Sequence, residues 1–342
     1  MTFIKIKQRL ELWVTRAWYD GAVWLWLLWP LSALVRAVVY VRRKRFLAYP
    51  PADSETPVVV VGGITVGGTG KTPVIIALAD ALTGRGLNVA VVSRGYGGTV
   101  IDPPEAVSAR TSANAVGDEP RLLALRCDCP VIVGRNRAAA VRYAERFGPD
   151  VILSDDGMQH YGMARAFEIL VLDAARGLGN KHLLPMGPLR EPVTRLESID
   201  WLLERNGEKA EHAFHYDISG LRHHHSGERI TTLKAQEHWR DSKAIAAVTA
   251  LGQPDQFFNS LELLGLTSVN CAFPDHYTLT KEDLDAITAD IIIITEKDAV
   301  KIPSLTDERL WVLVIDAVIP DSLVATLLTR FQSAREDACS EL

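Results

Sequence analysis

The stretch Val58–Pro73, VVVVGGITVGGTGKTP, constrains everything around it. Four consecutive valines read as a strand buried on both faces, and the run from Pro73 to about Leu82 reads as a helix. Between them lies a glycine-rich turn ending in Gly70-Lys71-Thr72. Strand, glycine loop and helix in that order are the setting of a phosphate-binding P-loop. Phosphate oxygens are large and charged, so backbone N–H groups must come close and point inward. Gly67, Gly68 and Gly70 permit that approach around Thr69, and the helix N-terminus adds a favourable dipole. Lys71 is expected to neutralise the β- and γ-phosphates, and the Thr72 hydroxyl to hold Mg2+. Pro73 suits a first helical turn, where a missing N–H costs nothing. The usual pattern G-x-x-x-x-G-K-[ST] opens on glycine; here that position is Thr65, and the nearest upstream glycines are Gly62 and Gly63.

A chain of 342 residues has room for two domains. A net charge of −5 gives no support to a nucleic-acid partner. Cys127, Cys129, Cys271 and Cys339 form no CxxC pair, which points away from a disulfide framework or a zinc site and suits a reducing cytosol.

The N-terminus differs from the rest. Five of the eight tryptophans fall between Trp13 and Trp29, inside or beside the apolar run Ala22–Val41. Lys5, Lys7, Arg9 and Arg16 precede it and Arg42-Arg43-Lys44-Arg45 follow. Tryptophan favours the membrane–water interface and the basic cluster favours anionic headgroups. A span needs about 20 apolar residues, but Pro30 and Arg36 interrupt this one. A secretory signal would need a cleavage site and would export a nucleotide site. A buried core helix is the plain alternative. A helix lying in the inner face of the membrane fits best.

After the P-loop, apolar runs at 88–93, 130–133, 150–153 and 168–172 alternate with helical stretches near 73–85, 117–126 and 136–147. That alternation implies a parallel sheet covered on both faces, with ligands at the carboxyl ends of its strands. Residues 204–242 are polar, with short strands expected at 213–218 and 229–233 and His223-His224-His225 in a solvated loop between them. A second α/β run follows: strands at 244–249, 267–273, 290–295 and 310–315, a helix near 254–264 and a last helix at 320–335. The expected fold class is therefore α/β, a P-loop NTPase-like α/β/α sandwich with a second, smaller α/β domain and an N-terminal membrane-associated helix. The expected divisions are 1–45 for the membrane segment, 46–210 for the P-loop domain, 211–235 for a strand linker and 236–342 for the second domain.

Asp155-Asp156 close an apolar strand, where a P-loop enzyme needs an acid for Mg2+ or its water; paired carboxylates there are costly without a cation. Asp118-Glu119 open a helix, where Asp118 could serve as an N-cap. Arg94 follows another strand in SRGYGG. The proline-studded LPMGPLREP ends in Arg190-Glu191, and arginine suits phosphate recognition. Glu296-Lys297-Asp298 lacks the Lys–x–Asp spacing that reads guanine, which favours ATP over GTP.

Taken together, GGTGKTP, SRGYGG, VGDEP, DDGMQH, LPMGPLREP, FPDHY and TEKDAVK, in this order, resemble the tetraacyldisaccharide 4′-kinase (lipid A 4′-kinase) family over nearly the whole chain. The resemblance implies transfer of the ATP γ-phosphoryl group to the 4′-hydroxyl of a lipid A disaccharide 1-phosphate, giving lipid IVA. It implies ATP and Mg2+ as cofactors and the cytoplasmic face of the inner membrane as location. It also implies Asp118 as the acid that activates the sugar hydroxyl with His276 as its partner, although Asp156 is an alternative proton acceptor. Lys71 acts on the phosphates, Thr72, Asp155 and Glu119 on the metal, and Arg94, Arg190 and Glu191 on substrate. The resemblance also leads one to expect asparagine at the position of Gly63 and phenylalanine at that of Met158, so these two residues depart from the pattern. The competing readings are an accessory P-loop ATPase or GTPase, whose loops often carry an early lysine absent from Thr65–Gly68, and a membrane-associated nucleotide-binding scaffold.

Overall fold

The computed structural model describes residues 13–99, 102–108, 110–239 and 244–340. Lys5, Lys7 and Arg9 lie outside them. Strands β1 (Val58–Gly62), β2 (Val89–Ser93), β4 (Val131–Val133), β5 (Val151–Asp155), β6 (Phe167–Asp173) and β7 (Trp201–Arg205) pair in parallel, flanked by the two-residue edge strand β3 (Glu105–Ala106). Val59 and Val61 face one core and Val58 and Val60 the other, as a strand covered on both sides requires. Helices α2 (Lys71–Thr83), α3 (Ala113–Val116), α4 (Asp118–Arg126) and α5 (Arg137–Ala144) connect them.

The second half repeats the logic. Strands β10 (Ile245–Thr249), β11 (Val269–Ala272), β12 (Ile291–Thr295) and β13 (Leu310–Val318) are parallel. Ile291 and Ile293 enter one core, Ile292 and Ile294 the other. Helices α6 (Thr232–Trp239), α7 (Pro254–Leu263), α8 (Lys281–Asp285), α9 (Glu296–Ala299) and α10 (Asp321–Ser340) complete it.

The two halves share one continuous sheet, joined by β8 (Ala213–His223). Its first residues pair in parallel with β7; the rest pairs antiparallel with β13, with a bulge at Val314/Ile315. The expected short strand is longer and takes in His223, while His224 and His225 lie in the turn that follows it, with His225 exposed as expected of a hairpin loop. β8 must run on to match the full length of β13, which carries His223 to the strand end and buries it. His223 Nδ1 lies 2.8 Å from Ser226 Oγ, and His224 Nε2 lies 2.9 Å from the Ile302 carbonyl. The expected strand at 229–233 is two residues long, β9 (Arg229–Ile230), before α6 begins.

At the N-terminus, residues 13–20 are helical and α1 covers Trp29–Ala48. Pro30 sits in the first turn of α1, where the 3-10 turn Val23–Leu28 gives way to α-helix within the apolar run. Trp29, Leu31, Leu34 and Val41 are exposed, as are Trp26 and Leu27 just before it, so α1 is not a core helix. The segment is anchored on its other side: Trp18 Nε1, in the preceding helical stretch, donates to the Pro185 carbonyl (3.0 Å), and Ser32 Oγ of α1 donates to the Leu183 carbonyl (2.9 Å). The apolar N-terminal segment thus packs directly on the LPMGPLREP loop.

Candidate active site

The P-loop departs from its usual opening for a visible reason. Thr65 pairs as extended chain with Leu189, Val66 N donates to the Pro188 carbonyl (2.9 Å), and Arg190 N donates to the Ile64 carbonyl (2.6 Å). The chain turns later, at Gly67 and Gly70, whose φ angles are 102° and 89°. Left-handed backbone is what glycine supplies. A Cβ at Gly70 would lie 2.0 Å from the hydroxyl oxygen of Tyr216 on β8. The strand joining the halves therefore packs against the phosphate loop. The Gly63 carbonyl accepts from Arg190 Nη2 (3.0 Å) and Gln159 Nε2 (3.1 Å). A Cβ there would lie at ordinary contact distance, 3.4 Å from the Val171 carbonyl and 3.5 Å from Thr69 Oγ1. Met158 fills the space over Gly62.

Lys71 Nζ lies 3.5 Å from Asp156 Oδ1. Arg190 grips the same carboxylate with both terminal nitrogens, at 2.9 and 3.0 Å. Burial pushes the Asp156 carboxyl up, but the charges of Lys71 and Arg190 outweigh it and hold it well below the usual carboxylate range. Asp156 is therefore a fixed anion between two cations.

Asp155 is its opposite. It is buried, accepts from Ser93 Oγ at 3.0 Å through Oδ2, and leaves Oδ1 without a partner among the described residues. Burial, with the Glu119 charge next, raises its pKa to about 6.

Gly117, with φ 93°, caps α4, so Asp118 is the first helical residue rather than the cap, and its carboxylate is free for other partners. His276 Nδ1 lies 3.2 Å from Asp118 Oδ2, and Lys301 Nζ lies 3.9 Å away. His276 itself holds a left-handed backbone (φ 62°), its N–H donating to the Ala250 carbonyl (3.2 Å). For a residue other than glycine that conformation is unfavourable and is sustained by its surroundings. Glu119 accepts from Lys297 Nζ at 3.3 Å.

Glu191 requires correction as a substrate contact. It is 1% exposed, and its carboxylate accepts from Gln159 Nε2, Tyr161 and Arg195 Nε. A carboxylate so enclosed orders the loop that carries Arg190. Arg94 is exposed at the end of β2. Thr69 is buried with its hydroxyl unpaired among the described residues.

Sequence reasoning missed Arg137. It is buried, donates to the Asp155 carbonyl, and keeps Nε and Nη1 unpaired among the described residues. Burial lowers its pKa to about 10. Burial also lowers His160 to about 4, helped by Arg137 and Arg94. The available signal was a basic residue just beyond the carboxyl end of β4.

A phosphate loop, an acid pair at a strand end and an Asp–His pair thus converge at the carboxyl edge of the sheet. The family model for tetraacyldisaccharide-1-P 4′-kinase matches residues 24–332. The chain is 42% identical over 323 residues to the tetraacyldisaccharide 4′-kinase of Alcanivorax borkumensis, covering 94% of this chain and 98% of that protein. It is 45% identical over 316 residues to that of Pseudomonas syringae pv. syringae, covering 90% and 94%. The crystal structure of Aquifex aeolicus LpxK in complex with ATP superposes with a TM-score of 0.73 at 26% identity, covering 90% of this chain and 99% of that one. With fold, ordered motifs and full-length relatives in agreement, the chain belongs to the tetraacyldisaccharide 4′-kinase family.

Proposed function

We propose that this chain transfers the γ-phosphoryl group of ATP to the 4′-hydroxyl of a tetraacyldisaccharide 1-phosphate at the cytoplasmic face of the inner membrane. The carrying observation is the Asp118–His276 pair, which stands one residue from Glu119, whose charge reaches Asp155 beside the P-loop. Relatives bearing the kinase name, and the ATP held by the Aquifex aeolicus protein, support donor and acceptor.

Asp118 accepts the hydroxyl proton as the sugar oxygen bonds to the γ-phosphorus and the bridge to ADP breaks. His276 holds the Asp118 carboxylate in place. Asp156 is the poorer acceptor, because Arg190 and Lys71 already occupy it. Lys71 and Arg190 face phosphate charge, and Arg94 lies exposed nearby for substrate phosphate. Replacing Asp118 and Asp156 separately by alanine and comparing kcat tests the assignment: the proposal requires the Asp118 variant to lose the chemical step, and a near-normal kcat there would refute it.

The residues present fit a divalent cation. Asp155 Oδ1 is buried without a partner among the described residues, and the nearby Glu119 charge opposes ionisation of Asp155. Thr72, Asp155 and Glu119 are its assigned holders. Mg2+ bound there would neutralise charge on the phosphates.

The membrane reading rests on α1. Its apolar residues face outward while Arg42 Nη2 donates to the Gln159 carbonyl (3.2 Å), beside the residues that order Arg190. An acylated substrate can then keep its chains in the bilayer while its sugar reaches the site.

A further inference from the structure

Helix α4 is tied to the second half of the fold at both ends, and the Glu296–Lys301 segment takes part in both ties. At the N-terminus Glu119 accepts from Lys297, and Lys301 lies 3.9 Å from Asp118, which His276 also holds. At the C-terminus, Arg126 Nη1 donates to both carboxylate oxygens of Glu296, at 2.7 and 2.6 Å, and Nη2 donates to Asp316 on β13. The segment is itself fixed. Asp298 is 1% exposed, accepts from the hydroxyls of Thr249 and Thr295, and pairs with Lys301 at 3.0 Å.

The Arg126–Glu296 pair is mostly withdrawn from water, with side-chain exposures of 17% and 10%. Removing one partner of such a pair leaves the other charge buried and unmatched, so its geometry is strongly enforced. Helix α4 has 9 residues. At a rise of about 1.5 Å per residue it is a short rigid rod. A shift at Arg126 therefore moves Asp118. Arg126 touches none of the groups assigned to the reaction.

We propose that Arg126 and Glu296 are positioning residues, a clasp that sets the Asp118 carboxylate against His276 by fixing α4 on α9 and β13. The proposal rests on Asp118 as the proton acceptor.

The test uses the full chain with R126M, R126K, E296Q and the R126M/E296Q double variant. Transfer kinetics, equilibrium ATP binding and thermal unfolding are measured on each. A misplacement of about 1 Å can cost on the order of 100-fold in rate. We expect R126M to lower kcat by about 10- to 100-fold while ATP affinity stays unchanged. R126K should recover part of the loss, and the double variant should be no slower than R126M, because both changes open one clasp. E296Q, which keeps a hydrogen-bond acceptor, supplies the same test if R126M fails to fold. Folded variants with wild-type kcat would overturn the clasp, as would kcat and ATP affinity falling in parallel with stability. D118A run alongside separates the two readings. If D118A is inert while R126M and E296Q are fully active, only the clasp fails. A D118A enzyme with wild-type kcat refutes the acceptor assignment itself.

Discussion

Tyr216, on the strand that joins the two halves of the sheet, lies against Gly70 of the phosphate loop with no room for a Cβ between them. The loop's geometry is thereby coupled to a strand far along the sequence. Tyr216 is in turn stacked under Arg205, 5.4 Å from its ring centre, and Arg205 pairs with Asp173 and with Gln256 of the second half.

Gly70→Ala should therefore fail twice. The left-handed backbone costs a residue with a Cβ about 1–2 kcal/mol, and the new methyl group meets the Tyr216 hydroxyl. Tyr216→Phe removes the nearest obstructing atom. We expect the Gly70→Ala/Tyr216→Phe protein to unfold at a higher temperature than Gly70→Ala alone, with the residual deficit reflecting the backbone. Equal melting temperatures would show that the contact carries no strain.

The Asp118–His276 pair predicts unequal losses. Asp118→Ala should reduce kcat on the order of 100- to 10,000-fold, the range for removing a general base. His276→Ala should cost less, because the acceptor remains but is no longer held. Unchanged ATP binding in both variants would locate the defect in the chemical step; a His276 variant slower than the Asp118 variant would reverse the assignment.

Asp155 predicts a trade between stability and activity. Its pKa is raised from 3.8 to about 6, so between those values the folded protein holds a proton that the unfolded chain releases. Stability from this group is full below pH 3.8 and is lost as pH rises through about 6. Asp155→Asn should raise the melting temperature of the ligand-free protein above neutral pH, with the gain shrinking on the acid side of about 6. It should also abolish Mg2+-dependent transfer. A variant that melts lower than wild type above neutral pH would show that the unpaired carboxylate is not a burden.

The outward face of α1 and of the 3-10 turn before it (Val23–Leu28) predicts a membrane effect separable from nucleotide binding. Leu27 and Leu34 are exposed, and deleting the whole segment would also strip the Pro185 and Leu183 carbonyls of their anchors. Point substitution is the cleaner probe. Burying a leucine is worth about 1.5–3 kcal/mol, so Leu27→Asp and Leu34→Asp should each weaken binding to anionic vesicles by roughly 10-fold or more. ATP affinity should not change. Vesicle binding as tight as wild type would show that this face does not meet the bilayer.

Much of the architecture was legible because local pattern and burial agree. The valines of β1 and the isoleucines of β12 alternate between two cores and are unbroken by polar residues. His223 departs from the polarity of its neighbours because the length of β8 is set by pairing with β13, which carries it into the strand and buries it. Asp118 and His276 were reached by resemblance; nothing local announces a pair 158 residues apart. Arg126, Arg137 and Tyr216 were missed for the same reason, since each acquires its role from partners that only the folded sheet brings near. Glu191 was misplaced because an Arg-Glu dipeptide does not reveal which of its members faces inward.

Kinase activity is decided by following phosphate transfer from labelled ATP to a tetraacyldisaccharide 1-phosphate in mixed micelles, with wild type and Lys71→Ala compared with and without Mg2+. Label should appear on the lipid only when both Mg2+ and Lys71 are present. A well-folded, ATP-binding wild-type protein that transfers no label would contradict the kinase assignment and leave an accessory ATPase or a nucleotide-binding scaffold.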